Sequence, residues 1–131
     1  MSCYNIDLKV GLKTSTMDKH HEIGSSNTKY LYYSVPQTIA HHSVTGCNMS
    51  TGDMLGSGTI SGPEKHERGS IMEISWGGKE PITLPNGEER TFLKDGDSIL
   101  LQGFAKGNGY QIGFGSCEGT IIPALDDSHY F

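Results

Sequence analysis

The sequence predicts a mainly β fold with one helix near the N-terminus, on three observations from its 131 residues. Strictly alternating apolar residues open the chain, and a four-residue apolar repeat follows them. The rest is short apolar runs broken by glycine. Of 18 glycines, most fall after Gly46 without helical stripes between them, which favours turns, bulges and close backbone approaches in β structure.

Tyr4, Ile6, Leu8, Val10 and Leu12 alternate with polar residues or glycine, which puts every apolar side chain on one face of a strand. The strand starts three residues after Met1 with nothing to protect its edge, so sequence upstream of Met1 is expected. Thr14 to Asn27 is polar and reads as a loop. Leu31, Val35 and Ile39 then recur every four residues, predicting a helix over about 28–44 with Asn27 as its cap and Gly46 at its end. Pro36 should kink that helix or split it in two. Strands are predicted at Asp53–Ser61, Ser70–Trp76 and Ile82–Leu84. The turn Pro85-Asn86-Gly87 leads to a strand at Arg90–Leu93. Lys94-Asp95-Gly96 turns into Ile99-Leu100-Leu101, Gly107-Asn108-Gly109 into Tyr110–Phe114, and Gly119–Ile122 closes the set. Residues 1–131 read as one domain, in which Asp126–Phe131 should fray.

Composition excludes several classes of function. No apolar run approaches the roughly 20 residues of a membrane span, and no signal peptide opens the chain, so a soluble, non-secreted protein without a membrane partner is expected. Cys3, Cys47 and Cys117 are an odd number at scattered spacings and read as free thiols. A net charge of −5 without a basic stripe argues against nucleic acid as a partner.

The glycine clusters do not have nucleotide-binding spacing: Gly56, Gly58 and Gly62 carry one residue too many, as do Gly107, Gly109 and Gly113. His20-His21 and His41-His42 are adjacent pairs whose side chains diverge. They read as an exposed loop pair and a helix C-terminal pair, not as metal ligands. Residues 64–68 read as a solvated hairpin loop, or as part of a ligand-access rim. Glu73 lies between Met72 and Ile74, so its carboxylate either faces solvent or enters a partly desolvated pocket. If 53–61 and 70–76 pair as a hairpin centred on His66, Thr59 stands opposite Glu73, close enough for both to line one small pocket.

Three runs carry a resemblance: His41 to Asn48, Thr51 to Pro63 and Gly69 to Trp76. Together with Leu93 to Asp97, Gly109 to Gly115 and Pro123-Ala124-Leu125, they resemble the C-terminal region of the fumarylacetoacetase family. The resemblance implies part of a mixed β-roll catalytic domain in a cytoplasmic homodimer. It also implies hydrolysis of fumarylacetoacetate, a small β-diketo acid, to fumarate and acetoacetate in tyrosine and phenylalanine catabolism. Water must attack a ketone while a carbon–carbon bond breaks, which needs a base for the water and an electrophile for the departing enolate. In the family a Glu-His pair activates the water, and calcium or magnesium holds the diketone oxygens. Glu73 matches the acid of that pair, and Thr59 matches a substrate-contacting threonine.

The family's base histidine, metal carboxylates and basic oxyanion-stabilising residues lie N-terminal to the region resembled. The expectation is therefore an enzyme fragment, inactive alone, with no metal ligand on residues 1–131. Two other readings remain open: a self-associating, non-catalytic β-rich module, and a binding protein for a small dicarboxylic or acylpyruvate-type ligand.

Overall fold

The computed structural model describes residues 3–129; the expectations for Met1, Tyr130 and Phe131 lie outside the described residues. Among the described residues, six strands form two antiparallel sheets. β1 (Asp7–Lys13), β2 (His21–Asn27), β5 (Ser98–Lys106) and β6 (Gln111–Thr120) lie in the order β2-β1-β5-β6, while β3 (Ile82–Thr83) and β4 (Glu89–Arg90) form a separate hairpin. The main helix, α1 (Val35–Val44), follows the first two strands, so the fold is mainly β with its principal helix near the N-terminus.

The alternation read at the start of the chain is realised in β1, which is central in the four-stranded sheet and pairs with both β2 and β5. Val10 and Leu12 stand opposite Leu101 and Ile99. Their shared face is met by Ile71 and Ile74 of a short helix, α2 (Ile71–Ile74), around an apolar recess that Ile23 and Leu93 complete. Leu12 and Ile74 are buried here.

Five readings are corrected. His21–Asn27 is a strand, not a loop: with Ile23 its one apolar residue it has no alternation to detect, and backbone pairing with β1 creates it. Asn27 pins its end, donating from Nδ2 to Asn5 Oδ1 at 2.7 Å and Asp7 Oδ1 at 2.8 Å. Residues 53–61 join no sheet, and Ser70–Trp76 is not a strand. Ser70 Oγ accepts the Glu73 amide at 3.2 Å and starts α2 instead. Over four residues, alternation and an i, i+3 pair cannot be separated, and Ile71 with Ile74 satisfies the second. Arg90–Leu93 contributes only Arg90 to β4. Tyr110–Phe114 and Gly119–Ile122 are not two strands but parts of one, β6. A bulge absorbs the one glycine between them: Phe114 and Gly115 oppose the single residue Gly103, with Gly115 at φ +78°.

Pro36 does split the predicted helix. Asn27 caps only a 3-10 turn, Thr28–Tyr30, by accepting Lys29 N–H at 2.8 Å. α1 starts afresh at its N-cap Ser34, with Pro36 in the first turn, where its missing N–H costs nothing. The turns at Pro85-Asn86-Gly87, 94–96 and 107–109 form where expected. Near the C-terminus Asp127–His129 makes a 3-10 turn.

A polar network fastens the β3–β4 hairpin to the sheet. Arg90 grips Asp97 with two hydrogen bonds, Nε to Oδ2 at 2.8 Å and Nη2 to Oδ1 at 3.0 Å, and also reaches Glu88 at 2.7 Å. Asp97 is 1% exposed and accepts Lys94 N–H at 2.9 Å. Burial opposes its ionisation most, yet Arg90 and the Lys94 amide together hold its carboxyl below the usual range. Glu88 takes hydroxyl hydrogen bonds from Thr16 and Thr14 beyond the end of β1. The Thr16 hydroxyl foremost, then Arg90 and Thr14, bring its carboxyl down to about 2.

Candidate functional site

The segment after α1 crosses the sheet's apolar face beside α2, and the crossing is tight. A Cβ on Gly69 would lie 2.7 Å from Ile60 N and 2.9 Å from the Thr59 Cβ, so only glycine admits this approach. The crossing brings Ser61 onto Glu73, which sits in the first turn of α2. Ser61 Oγ lies 3.0 Å from Oε1 and 2.8 Å from Oε2 of the carboxylate. Oε2 also accepts Gly69 N–H at 3.1 Å and the Ser70 hydroxyl at 3.3 Å. Oε1 has only the Ser61 hydroxyl among the described residues. Glu73 is half-buried, and polar donors hold one carboxylate oxygen and leave the other with spare acceptor capacity.

Thr59 does not stand opposite Glu73, because no hairpin joins their segments. It lies on the same crossing strap as Ser61, and the two contribute to a cleft of about 500 Å³. Tyr30, Tyr33 and His41 line the cleft from the other side. The Tyr33 and His41 rings stack with centroids 5.0 Å apart and planes 18° from parallel. His41, read as half of a helix-terminal pair, is thus also a cleft wall. Tyr30 donates to Glu67 Oε1 at 2.9 Å, and the Glu67 carbonyl accepts Gly62 N–H at 2.8 Å. The loop 64–68 closes around these bonds without flanking strands. Glu67's carboxyl is lowered, first by the Glu64 amide and then by the Tyr30 hydroxyl, and Tyr30's phenol is raised by the same Glu67 hydrogen bond.

His20 is not part of an exposed loop pair. Its Nε2 lies 3.2 Å from Ser98 Oγ and 3.4 Å from Glu118 Oε1. Serine and acid face the same ring nitrogen, so this trio lacks the relay in which an acid orients the far nitrogen. Sequence reasoning missed Ser61 and the Tyr33–His41 stack; the expected hairpin register put Thr59, not Ser61, opposite Glu73. Among the described residues no group of three or more His, Cys, Asp or Glu side chains gathers to hold a metal ion, and no helix is long and apolar enough to cross a membrane. Cys3, Cys47 and Cys117 are free.

Comparison with known proteins covers nearly all of this structure. Residues 5–122 match the family model described as fumarylacetoacetate (FAA) hydrolase C-terminal. The chain is 53% identical over 123 residues to the fumarylacetoacetase of Dictyostelium discoideum, an alignment covering 92% of the chain and 29% of that relative. It is 50% identical over 122 residues to the Homo sapiens fumarylacetoacetase, covering 93% and 29%, and 48% identical over 121 residues to that of Arabidopsis thaliana, covering 92% and 28%. The chain therefore spans under a third of the length of these relatives. With its crossing strap, Glu73 and the cleft all inside the matched residues, the chain belongs to the fumarylacetoacetate hydrolase C-terminal family.

Proposed function

We propose that this chain forms the C-terminal part of a fumarylacetoacetase catalytic domain, in a cytoplasmic homodimer that hydrolyses fumarylacetoacetate to fumarate and acetoacetate. The anchoring of Glu73 carries this reading. One oxygen is saturated by local donors and the other keeps acceptor capacity, an arrangement suited to a carboxylate that orients a base histidine brought by another part of the protein. Thr59, exposed on the cleft side of the strap, is the substrate contact, and its hydroxyl would serve binding. Thr59→Val is then expected to raise KM several-fold while kcat changes by less than about threefold; steady-state kinetics with the opposite split would make Thr59 part of the chemistry.

A divalent cation, calcium or magnesium, belongs to the reaction implied for the complete enzyme, where it would polarise the diketone oxygens. The described residues do not fit it: hard cations need several converging oxygens, and no such group assembles here. Its ligands would lie outside residues 1–131, as would the base. The exposure of β6 along its whole length, with Ile112 and Phe114 among its open side chains, supports a larger assembly in which that edge is covered.

The test is a graft in which residues 5–122 replace the matching segment of the Dictyostelium relative. The grafted enzyme is expected to consume fumarylacetoacetate, followed by loss of its diketone absorbance, with metal dependence. The 131-residue chain alone is expected to be inactive at any calcium or magnesium concentration. A folded but inactive graft, or turnover by the chain alone, would overturn this reading.

A further inference from the structure

We infer that Ser61 is a positioning residue for the proposed hydrolysis, holding the Glu73 carboxylate so that Oε1 faces the histidine it must orient; this rests on the role proposed above for Glu73. The hydroxyl sits within hydrogen-bond distance of both carboxylate oxygens, at 3.0 Å and 2.8 Å. It is itself fixed, because Ser61 Oγ accepts Gly69 N–H at 3.0 Å. That bond occupies an oxygen lone pair and turns the single hydroxyl proton toward the carboxylate. Ser61 is the only described residue that bonds Oε1; the other donors, Gly69 N–H and Ser70 Oγ, reach Oε2.

The three contacts therefore divide the work. Gly69 and Ser70 belong to the entry of α2 and tether one oxygen to it, but a carboxylate held at one oxygen still rotates about its terminal torsion, which is broad. Ser61 comes from a different segment, 12 positions earlier in the chain, and closes the second side of the group. Rotation is arrested only while both segments hold it. A 1 Å misplacement of an orienting group is enough to cost rate without disturbing substrate binding, so the loss should appear in kcat. The strap also links this contact to the cleft: Thr59 and Ser61 are two residues apart on it, so one segment touches both the substrate side and the acid.

A double-mutant cycle in the grafted enzyme tests this. Ser61→Ala is expected to lower kcat roughly 10-fold with KM changed by less than about twofold, the scale of one lost hydrogen bond to a charged group. Ser61→Thr, which keeps the hydroxyl, is expected to recover most of that loss. In a Glu73→Gln background, Ser61→Ala should cost less than about twofold more, since a residue acting through Glu73 has nothing left to position. Ser61→Cys, close in size but a far weaker donor, carries the same expectation if the alanine variant does not fold. An unchanged kcat in the Ser61 variants, with Glu73→Gln still strongly impaired, overturns the role of Ser61 and leaves that of Glu73 standing. Equal losses in both backgrounds would mark a merely structural serine and also overturn it. Near-normal turnover of Glu73→Gln would remove the reading of Glu73, and the role of Ser61 with it.

Discussion

Glu73→Gln in the grafted enzyme is expected to cut kcat by roughly 100-fold or more, the scale of a general acid–base pair, while the protein still folds. Glutamine keeps the size of the side chain and one acceptor oxygen, so Gly69 N–H and Ser70 Oγ retain a partner at the entry of α2. What it loses is the negative charge proposed above to hold a histidine in one tautomer and to stabilise its protonated form. Circular dichroism and thermal unfolding should therefore show little change beside the collapse in turnover. Wild-type kcat in this variant would return Glu73 to the role its position at the start of a helix also permits, a cap for local amides.

Arg90→Ala is expected to destabilise the chain by about 3–5 kcal/mol, because it strands the buried Asp97 carboxylate without its partner. Replacing both members, as in Arg90→Met with Asp97→Leu, should cost less than the single change, since no uncompensated charge remains. Urea unfolding followed by circular dichroism measures both, and a loss under about 1 kcal/mol for Arg90→Ala would mean that the pair does not hold the hairpin. The same network sets an acid limit. The carboxyls of Glu88 and Asp97 are lowered in the folded protein, so their contribution is complete above their ordinary values near 4 and is lost as pH falls, for Glu88 through about 2. Glu88→Gln should accordingly flatten the dependence of stability on pH between about 4.5 and 2.

Local signals were sufficient where one residue type controls the backbone. Pro36 split a helix, Pro85-Asn86-Gly87 made a hairpin, and the alternation read from Tyr4 to Leu12 made the central strand β1 from Asp7 onward, leaving Tyr4 and Ile6 outside it. Each is a short-range preference that the surroundings did not oppose. The runs from His41 to Leu125 likewise carried the family, because long ordered matches need no knowledge of contacts. Glu73 and Thr59 were legible as candidates for the same reason.

Their arrangement was not. β2 is a strand only because β1 offers it partners, and α2 replaces a predicted strand because Ser70 caps it and the sheet accepts Ile71 and Ile74 together. Four residues of Ile-Met-Glu-Ile satisfy either period, so burial against the sheet decides between them. Once that helix forms, the hairpin that would set Thr59 against Glu73 cannot, and the crossing at Gly69 delivers Ser61 to the carboxylate instead. The chemistry of the site was written in residue identity, whereas which hydroxyl meets the acid depended on a contact between segments that only the packed fold brings together.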